Sequence, residues 1–134
     1  MKIARFDHLV LTVRDVEASC RFYGEVLGME IISFGQDRKA AKFGQQKINF
    51  QQVGQEIDPK AKRPTMGSGD FCLITSDSLI DVKKHLAEQG VKIELGPVER
   101  TGALGPMYSI YIRDPDENLV EISSYEPYVR MQGK

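Results

Sequence analysis

The chain has 134 residues, of which 41% are hydrophobic and 28% charged, and its formal net charge is −1. This length and composition predict one globular domain with a sizeable core. The near-neutral charge argues against nucleic-acid binding, and the apolar stretches are far shorter than the roughly 20 residues of a membrane helix. Cys20 and Cys72 lack CxxC spacing and the N-terminus resembles no signal peptide, so we expect buried thiols and a cytoplasmic protein.

The first predicted strand, residues 6–13, alternates between two faces, as a half-buried strand does. One face carries Phe6, His8, Val10 and Thr12, and the other carries Leu9, Leu11 and Val13. The leucine and valine face predicts packing against a helix. Asp15 is a good N-cap for that helix, and Gly28 is a typical glycine after its last turn.

Three further strands complete the first module, which we place at residues 1–54. They are predicted at residues 29–34, 39–43 and 47–53. The module therefore has the order βαβββ. Residues 55–69 contain two prolines and no regular pattern, which indicates a surface linker.

The second module, residues 70–125, is predicted to repeat this order. A strand begins at Asp70, and a helix opens at Ser78 and ends at Gly90. Strands are then predicted at residues 91–95, 107–113 and 119–125, with residues 96–106 as a glycine-rich loop. The tail, residues 126–134, has no pattern that predicts a structure.

Two constant spacings indicate an internal duplication. A shift of 62 residues places His8 on Asp70, Val10 on Cys72 and Gly28 on Gly90, and a shift of 72 places Asn49 on Glu121. The fold class is therefore predicted to be α+β, with two tandem βαβββ modules. We expect the helices to lie outside and the opposite sheet faces to line a shared cleft.

Polar side chains recur on that expected cleft face: His8, Asp70 and Glu121, with Asn49 and Gln51 beside them. Burying an imidazole and two carboxylates costs several kcal/mol unless a cation lies between them. A divalent metal is the simplest such cation. The alternatives are a structural histidine at His8, a linker end at Asp70, an outward-facing strand residue at Glu121, and a solvated strand face at Asn49 and Gln51.

Three segments resemble the vicinal oxygen chelate superfamily: FDHLVLTV at 6–13, FYGEVLGM at 22–29 and DPDENLVE at 114–121. That superfamily includes glyoxalase I, fosfomycin-resistance proteins, extradiol dioxygenases, methylmalonyl-CoA epimerase and the metal-free bleomycin-resistance proteins. KINF at 47–50 and GPVERTG at 96–102 are most similar to the group of glyoxalase domain-containing protein five, which includes bacterial virulence-associated proteins.

The resemblance implies a glyoxalase-type open barrel with the helices outside, a homodimer and a set of site residues. His8 matches the first metal ligand of the superfamily and Glu121 the last. Asp70 stands where histidine is usual, and Asn49 where glyoxalase I has a carboxylate. With Asn49 and Gln51 assigned to substrate binding, the implied metal ligands are His8, Asp70 and Glu121, and the implied metal is Ni, Zn, Mn or Fe.

The function implied is that of a metal-dependent glyoxalase-like lyase or isomerase, similar to lactoylglutathione lyase. Its substrate would be a small molecule with neighbouring oxygens, the metal would stabilise an enediolate, and Glu121 would be the catalytic base. One alternative is a non-catalytic binding protein of bleomycin-resistance type. A dioxygenase is a second alternative that fits less well, because one histidine of a two-histidine, one-carboxylate iron site is missing.

Overall fold

The structure, a computed structural model, describes residues 1–127, so most of the predicted tail lies outside the described residues. The chain divides into two compact units. The first contains Met1–Ser68 and Pro115–Glu117, and the second contains Gly69–Asp114 and the chain from Asn118 onward. The module and linker boundaries drawn from the sequence stay predictions.

The first unit is a four-stranded sheet with one short helical segment. Its elements are β1 (His8–Val13), α1 (Val16–Arg21), a π-helical turn (Phe22–Val26), β2 (Glu30–Phe34), β3 (Arg38–Phe43) and β4 (Gln46–Gln52). The strand order is β1-β4-β3-β2. The β1–β4 pair is parallel and the other pairs are antiparallel.

The second unit repeats this arrangement. Its elements are β5 (Asp70–Ile74), α2 (Leu79–Glu88), β6 (Leu95–Gly102), β7 (Gly105–Arg113) and β8 (Leu119–Ser124), in the strand order β5-β8-β7-β6. The β5–β8 pair is again the parallel one. The prediction of an α+β fold with two βαβββ modules is confirmed, and both sheets are open rather than closed into a barrel.

The helix starts follow from local sequence. The carboxylate of Asp15 accepts hydrogen bonds from Glu17 N at 3.0 Å and Ala18 N at 3.4 Å. In the second unit Ser78 Oγ accepts one from Asp81 N at 3.1 Å. Both caps satisfy backbone donors that a first helical turn leaves unpaired, as the sequence predicts.

The first helix does not continue regularly to Gly28. After Arg21 the chain widens into the π-helical turn, in which Leu27 N donates to Phe22 O at 3.3 Å. Tyr23 in this turn is fully buried, and its ring centroid lies 5.4 Å from that of Phe50 on β4. The wider turn thus coincides with the aromatic contact that joins the helical segment to the sheet.

The predicted strand at residues 91–95 and the predicted loop at 96–106 are wrong. β6 begins only at Leu95 and runs through Gly102, with Val98 paired to Ser109 on β7. The register shifts between Leu95 and Val98, so the glycine and proline in between form an irregularity inside the strand instead of ending it. Gly96 has φ +118°, and a Cβ there would lie 2.9 Å from Ile110 Cα.

Two other expectations from the sequence concern membrane helices and the burial of the cysteines. None of the helices within residues 1–127 is long and apolar enough to cross a membrane. Both cysteines are free, but Cys72 is exposed, so its predicted burial is wrong. It lies on the opposite face of β5 from its neighbours Phe71 and Leu73, which are partly buried, because successive strand side chains alternate between the two faces.

Candidate functional site

The open face of the first sheet carries the site residues predicted for the first module. In the parallel β1–β4 pair, His8 lies opposite Lys47, Val10 opposite Asn49 and Thr12 opposite Gln51. Paired residues of neighbouring strands point to the same face of a sheet. His8, Asn49 and Gln51 therefore share one face, as the alternation predicts.

His8 is oriented by its sequence neighbour. Its Nδ1 lies 2.8 Å from Asp7 Oδ1, and 43% of the His8 side chain is exposed. An ionised carboxylate can only accept a hydrogen bond, so Nδ1 is the donor in this contact and carries a proton, and the bond lowers the pKa of Asp7. Nε2 is left as the acceptor atom of the ring. A carboxylate behind the imidazole is the usual way to orient a metal-binding histidine.

Asn49 is buried on this face with an unmatched acceptor. Its residue is 3% exposed, and its Oδ1 has no hydrogen-bond partner among the described residues. Its neighbours across the strands are Val10 and Ala40, whose side chains have no hydrogen-bond donor. A buried polar atom without a partner destabilises the free protein, and a native structure rarely keeps one without a reason.

Gln51 is engaged within its own unit. Its Nε2 donates to Thr12 Oγ1 at 2.9 Å, and its Oε1 accepts from Ile57 N at 3.5 Å. Gln51 also lines a cavity of about 740 Å³, together with Arg38, Lys39, Phe50 and Gln52. That volume lies in the range of small-molecule sites.

The aromatic ring of Phe34 contacts two cationic side chains on the same open face. Lys47 Nζ is 3.6 Å from the centroid of the Phe34 ring, and the Arg38 guanidinium carbon is 4.7 Å from it. Alternation along β4 places Lys47 on the face of Asn49, but the sequence does not reveal that β2 brings Phe34 to it. Sequence reasoning therefore missed this cluster.

Glu121 lies in the middle of β8, on the open face of the second sheet. Its neighbours across the strands are Cys72 on β5 and Tyr111 on β7. Its Oε2 accepts a hydrogen bond from Ser109 Oγ at 2.6 Å, and Ser123 Oγ lies 3.4 Å away. Both serines are fully buried. Oε2 is thus held by the hydroxyl of Ser109, which leaves Oε1 for another partner.

Asp70 opens β5 and is exposed. It pairs with Leu119, two residues before Glu121 on β8, so Asp70 and Glu121 lie on the same face of one sheet. Sequence reasoning missed Ser109, the closest partner of Glu121. The short segment between the predicted strands 107–113 and 119–125 is the available signal, because a hairpin there pairs the strands that carry Ser109 and Ser123.

A family model described as the Glyoxalase/Bleomycin resistance protein/Dioxygenase superfamily matches residues 5–122. The chain belongs to this superfamily. Asn49 and Glu121 occupy corresponding positions in the two sheets. Asn49 pairs with Val10 and Glu121 pairs with Cys72, and these partners are aligned by the 62-residue shift.

Two named relatives are more than half identical to this chain. "Virulence protein STM3117" of Salmonella typhimurium is 57% identical over 93% of this chain and 87% of the relative, and its crystal structure superposes with a TM-score of 0.92 over 99% of that chain. "Glyoxalase domain-containing protein RDO1" of Mycosarcoma maydis is 51% identical over 94% of this chain and 71% of the relative. A lactoylglutathione lyase from Agrobacterium tumefaciens has a TM-score of 0.71 over 93% of this chain and 96% of its own, but at 23% identity this likeness shows the fold alone.

The donors of this glyoxalase-superfamily chain are of the type that divalent metals bind. An imidazole oriented by a carboxylate and a carboxylate oriented by a hydroxyl are hard or borderline donors, suited to Mn, Fe, Ni or Zn. Within residues 1–127 no three His, Cys, Asp or Glu side chains form a metal-holding group. His8 belongs to the first unit and Asp70 and Glu121 to the second, so this ligand set stays a prediction.

Proposed function

We propose that the protein is a metal-dependent glyoxalase-like lyase or isomerase that acts on a small substrate with two neighbouring oxygen atoms. Membership of the glyoxalase superfamily supports the reaction class. The observation that carries the proposal is the carboxylate of Glu121, which is held through Oε2 by Ser109 at 2.6 Å and so keeps a fixed orientation on the open face.

The proposed metal ligands are His8 Nε2, Asp70 and Glu121. A divalent ion held by them would act as a Lewis acid and stabilise the negative charge that develops on the substrate oxygens when a proton leaves carbon. Asp7 keeps the proton of His8 on Nδ1, so that Nε2 offers its lone pair. The two carboxylates offset the positive charge of the ion.

Glu121 is the proposed base. Its free oxygen would leave the metal to take the proton, while the oxygen anchored to the buried Ser109 hydroxyl keeps the carboxylate oriented. Asn49 is proposed to bind substrate, because its buried Oδ1 finds no donor in the described chain and a substrate hydroxyl would supply one. Gln51 is proposed to line the substrate site next to it.

Exchange of substrate hydrogen for solvent deuterium tests this proposal, because proton removal from carbon is common to glyoxalase-type lyases and isomerases. Protein loaded with Ni, Zn, Mn or Fe is mixed in D₂O with 2-hydroxycarbonyl compounds or thiol adducts of 2-oxoaldehydes, and exchange is followed by NMR. Glu121→Gln is expected to slow exchange by about 10²–10⁴-fold. Glu88→Gln, at an exposed position on α2, is the matched control and should exchange like the wild type.

The proposal fails if no substrate exchanges with any metal, or if Glu121→Gln exchanges like the control. A second candidate function, non-catalytic binding of a small molecule, is favoured by the cavity of about 740 Å³ in the first unit, which needs no metal. Tight ligand binding by chelator-treated protein, with no turnover after metal is added back, would support this second function instead.

The protein is also proposed to be a homodimer with a small molecule as its ligand, by likeness to the superfamily. Analytical ultracentrifugation tests this: a mass near twice the 15.1 kDa of the chain is expected. A monomer at all concentrations would contradict the dimer and leave the proposed chemistry unaffected.

A further inference from the structure

We propose that Ser109 is a positioning residue for Glu121. Its hydroxyl anchors Oε2 of the carboxylate, so that Oε1 is the oxygen available to the proposed metal ion. This inference rests on the proposed function. Ser109 is fully buried in β7, a strand paired on both sides, with Val98 on β6 and Ser123 on β8 as its neighbours. Its hydroxyl is therefore carried by a part of the backbone that has little freedom to move.

A chain of hydrogen bonds leads to Glu121. Ser109 Oγ lies 2.6 Å from Glu121 Oε2, Ser123 Oγ lies 2.6 Å from Ser109 Oγ, and Cys72 Sγ lies 3.1 Å from Ser123 Oγ. An ionised carboxylate only accepts, and each hydroxyl has one proton to donate. Ser109 therefore donates to Glu121, Ser123 donates to Ser109, and the Cys72 thiol donates to Ser123.

The proton count also explains the longer contact in the cluster. Once Ser123 donates to Ser109, it has no proton left for Glu121 Oε2, and these two atoms lie 3.4 Å apart, beyond the usual O–H···O range. The carboxylate is thus held by one short bond to a hydroxyl that is itself polarised by a second donor. Hydrogen bonds arranged in such a series strengthen one another.

Without the Ser109 hydroxyl, the carboxylate of Glu121 would lose the contact that distinguishes its two oxygens. It would rotate more freely, and ordering it around a metal ion would then cost conformational entropy. Loss of a group that orients a metal ligand typically weakens metal binding by about 10–100-fold. Ser109 is therefore expected to affect metal affinity directly, apart from any effect on turnover.

The experiment measures the affinity of metal-free protein for Mn²⁺ or Zn²⁺ alone, by isothermal titration calorimetry. Ser109→Ala is expected to weaken binding by about 10–100-fold. The control is Ser124→Ala, which removes a buried hydroxyl from β8 that accepts from Glu126 N instead of contacting Glu121. The control should bind as the wild type does.

Two more variants keep the test valid if Ser109→Ala folds poorly. Ser109→Cys keeps a weaker donor at the same place and is expected to give an intermediate affinity. Ser123→Ala removes the second donor of the chain, and a loss smaller than that of Ser109→Ala is expected. Thermal unfolding of every variant identifies any that do not fold.

Three outcomes overturn the inference. If the wild type binds metal and Ser109→Ala binds it equally well, Ser109 does not position Glu121, and the proposed function is unaffected. If Ser109→Ala and Ser124→Ala lose affinity equally, the loss is a general effect of removing buried hydroxyls. If the wild type binds no metal, the proposed function fails and the inference fails with it.

Discussion

Replacing Asn49 by leucine tests whether the buried amide is kept for a ligand. Asn49 is 3% exposed, and its Oδ1 finds no hydrogen-bond partner within residues 1–127. A buried acceptor in this state costs roughly 1–3 kcal/mol. Leucine has the same branching and no polar atom. We therefore expect Asn49→Leu to increase the free energy of unfolding of the ligand-free protein.

The size of the effect follows from three contributions. Burying the leucine side chain stabilises by roughly 1.5–3 kcal/mol, and its extra volume costs roughly 1–3 kcal/mol. These two nearly cancel, so the removed penalty remains, and about 1–2 kcal/mol of added stability is expected. For a chain of 134 residues this corresponds to a rise in Tm of roughly 3–8 °C.

The assay is thermal and urea unfolding of chelator-treated protein, followed by circular dichroism. The control is Asn118→Leu, because Asn118 is also buried but is fully engaged: Oδ1 accepts from Gly69 N at 2.6 Å and Nδ2 donates to Asp114 Oδ2 at 2.8 Å. This control should lose roughly 2–5 kcal/mol, since its substitution removes two side-chain hydrogen bonds, one of them to a carboxylate. The same change is thus expected to have opposite signs at the two positions.

A loss of stability in both variants would contradict this expectation, because it would mean that Asn49 already has a partner, such as a bound water. Asn49→Leu is also expected to bind the substrate found by deuterium exchange more weakly than the wild type. Unchanged binding would remove Asn49 from the proposed site even if the protein became more stable.

Two further predictions concern backbone packing and pH. Gly96→Ala should lower the free energy of unfolding by roughly 2–4 kcal/mol, because φ is +118° and a Cβ would lie 2.9 Å from Ile110 Cα. Gly44→Ala, with φ +55° and open space in the described chain, is the control and should lower it by about 1 kcal/mol. Equal losses in thermal unfolding would contradict the packing explanation. The hydrogen bond and charge of Arg113 lower the pKa of Glu94, so Arg113→Gln should raise that pKa toward its ordinary value in an NMR titration. A pKa that is lowered in the folded state stabilises the protein at neutral pH, and this stabilisation is lost as the pH falls through that pKa. The difference in free energy of unfolding between the wild type and Arg113→Gln should therefore shrink on acidification. An unchanged pKa of Glu94 in the variant would contradict the role given to Arg113.

The features that the sequence predicts well depend on local or repeated patterns. Asp15 and Ser78 cap helices through bonds to residues two or three positions away, so a short segment contains all the information. The duplication extends this to the sheets. Because each module repeats the other, the face that carries Asn49 and the face that carries Glu121 follow from alternation and two spacings.

The features that the sequence did not predict depend on contacts between distant segments. β6 was missed because the glycine and proline at 96–97 suggest a loop, while its pairing with β7 is set by residues about 11 positions further along, such as Ser109 opposite Val98. The contact of Ser109 with Glu121 depends on the register of β7 against β8. Alternation within one strand cannot supply that register, because it assigns faces and not neighbours.

The most direct test of the proposed chemistry is a crystal structure of the protein soaked with Zn²⁺ or Mn²⁺. We expect one ion within about 2.0–2.2 Å of His8 Nε2 and Glu121 Oε1, with Asp70 as a further ligand. An ion bound elsewhere at saturating concentration, with His8 and Glu121 taking no part in its coordination, would contradict it.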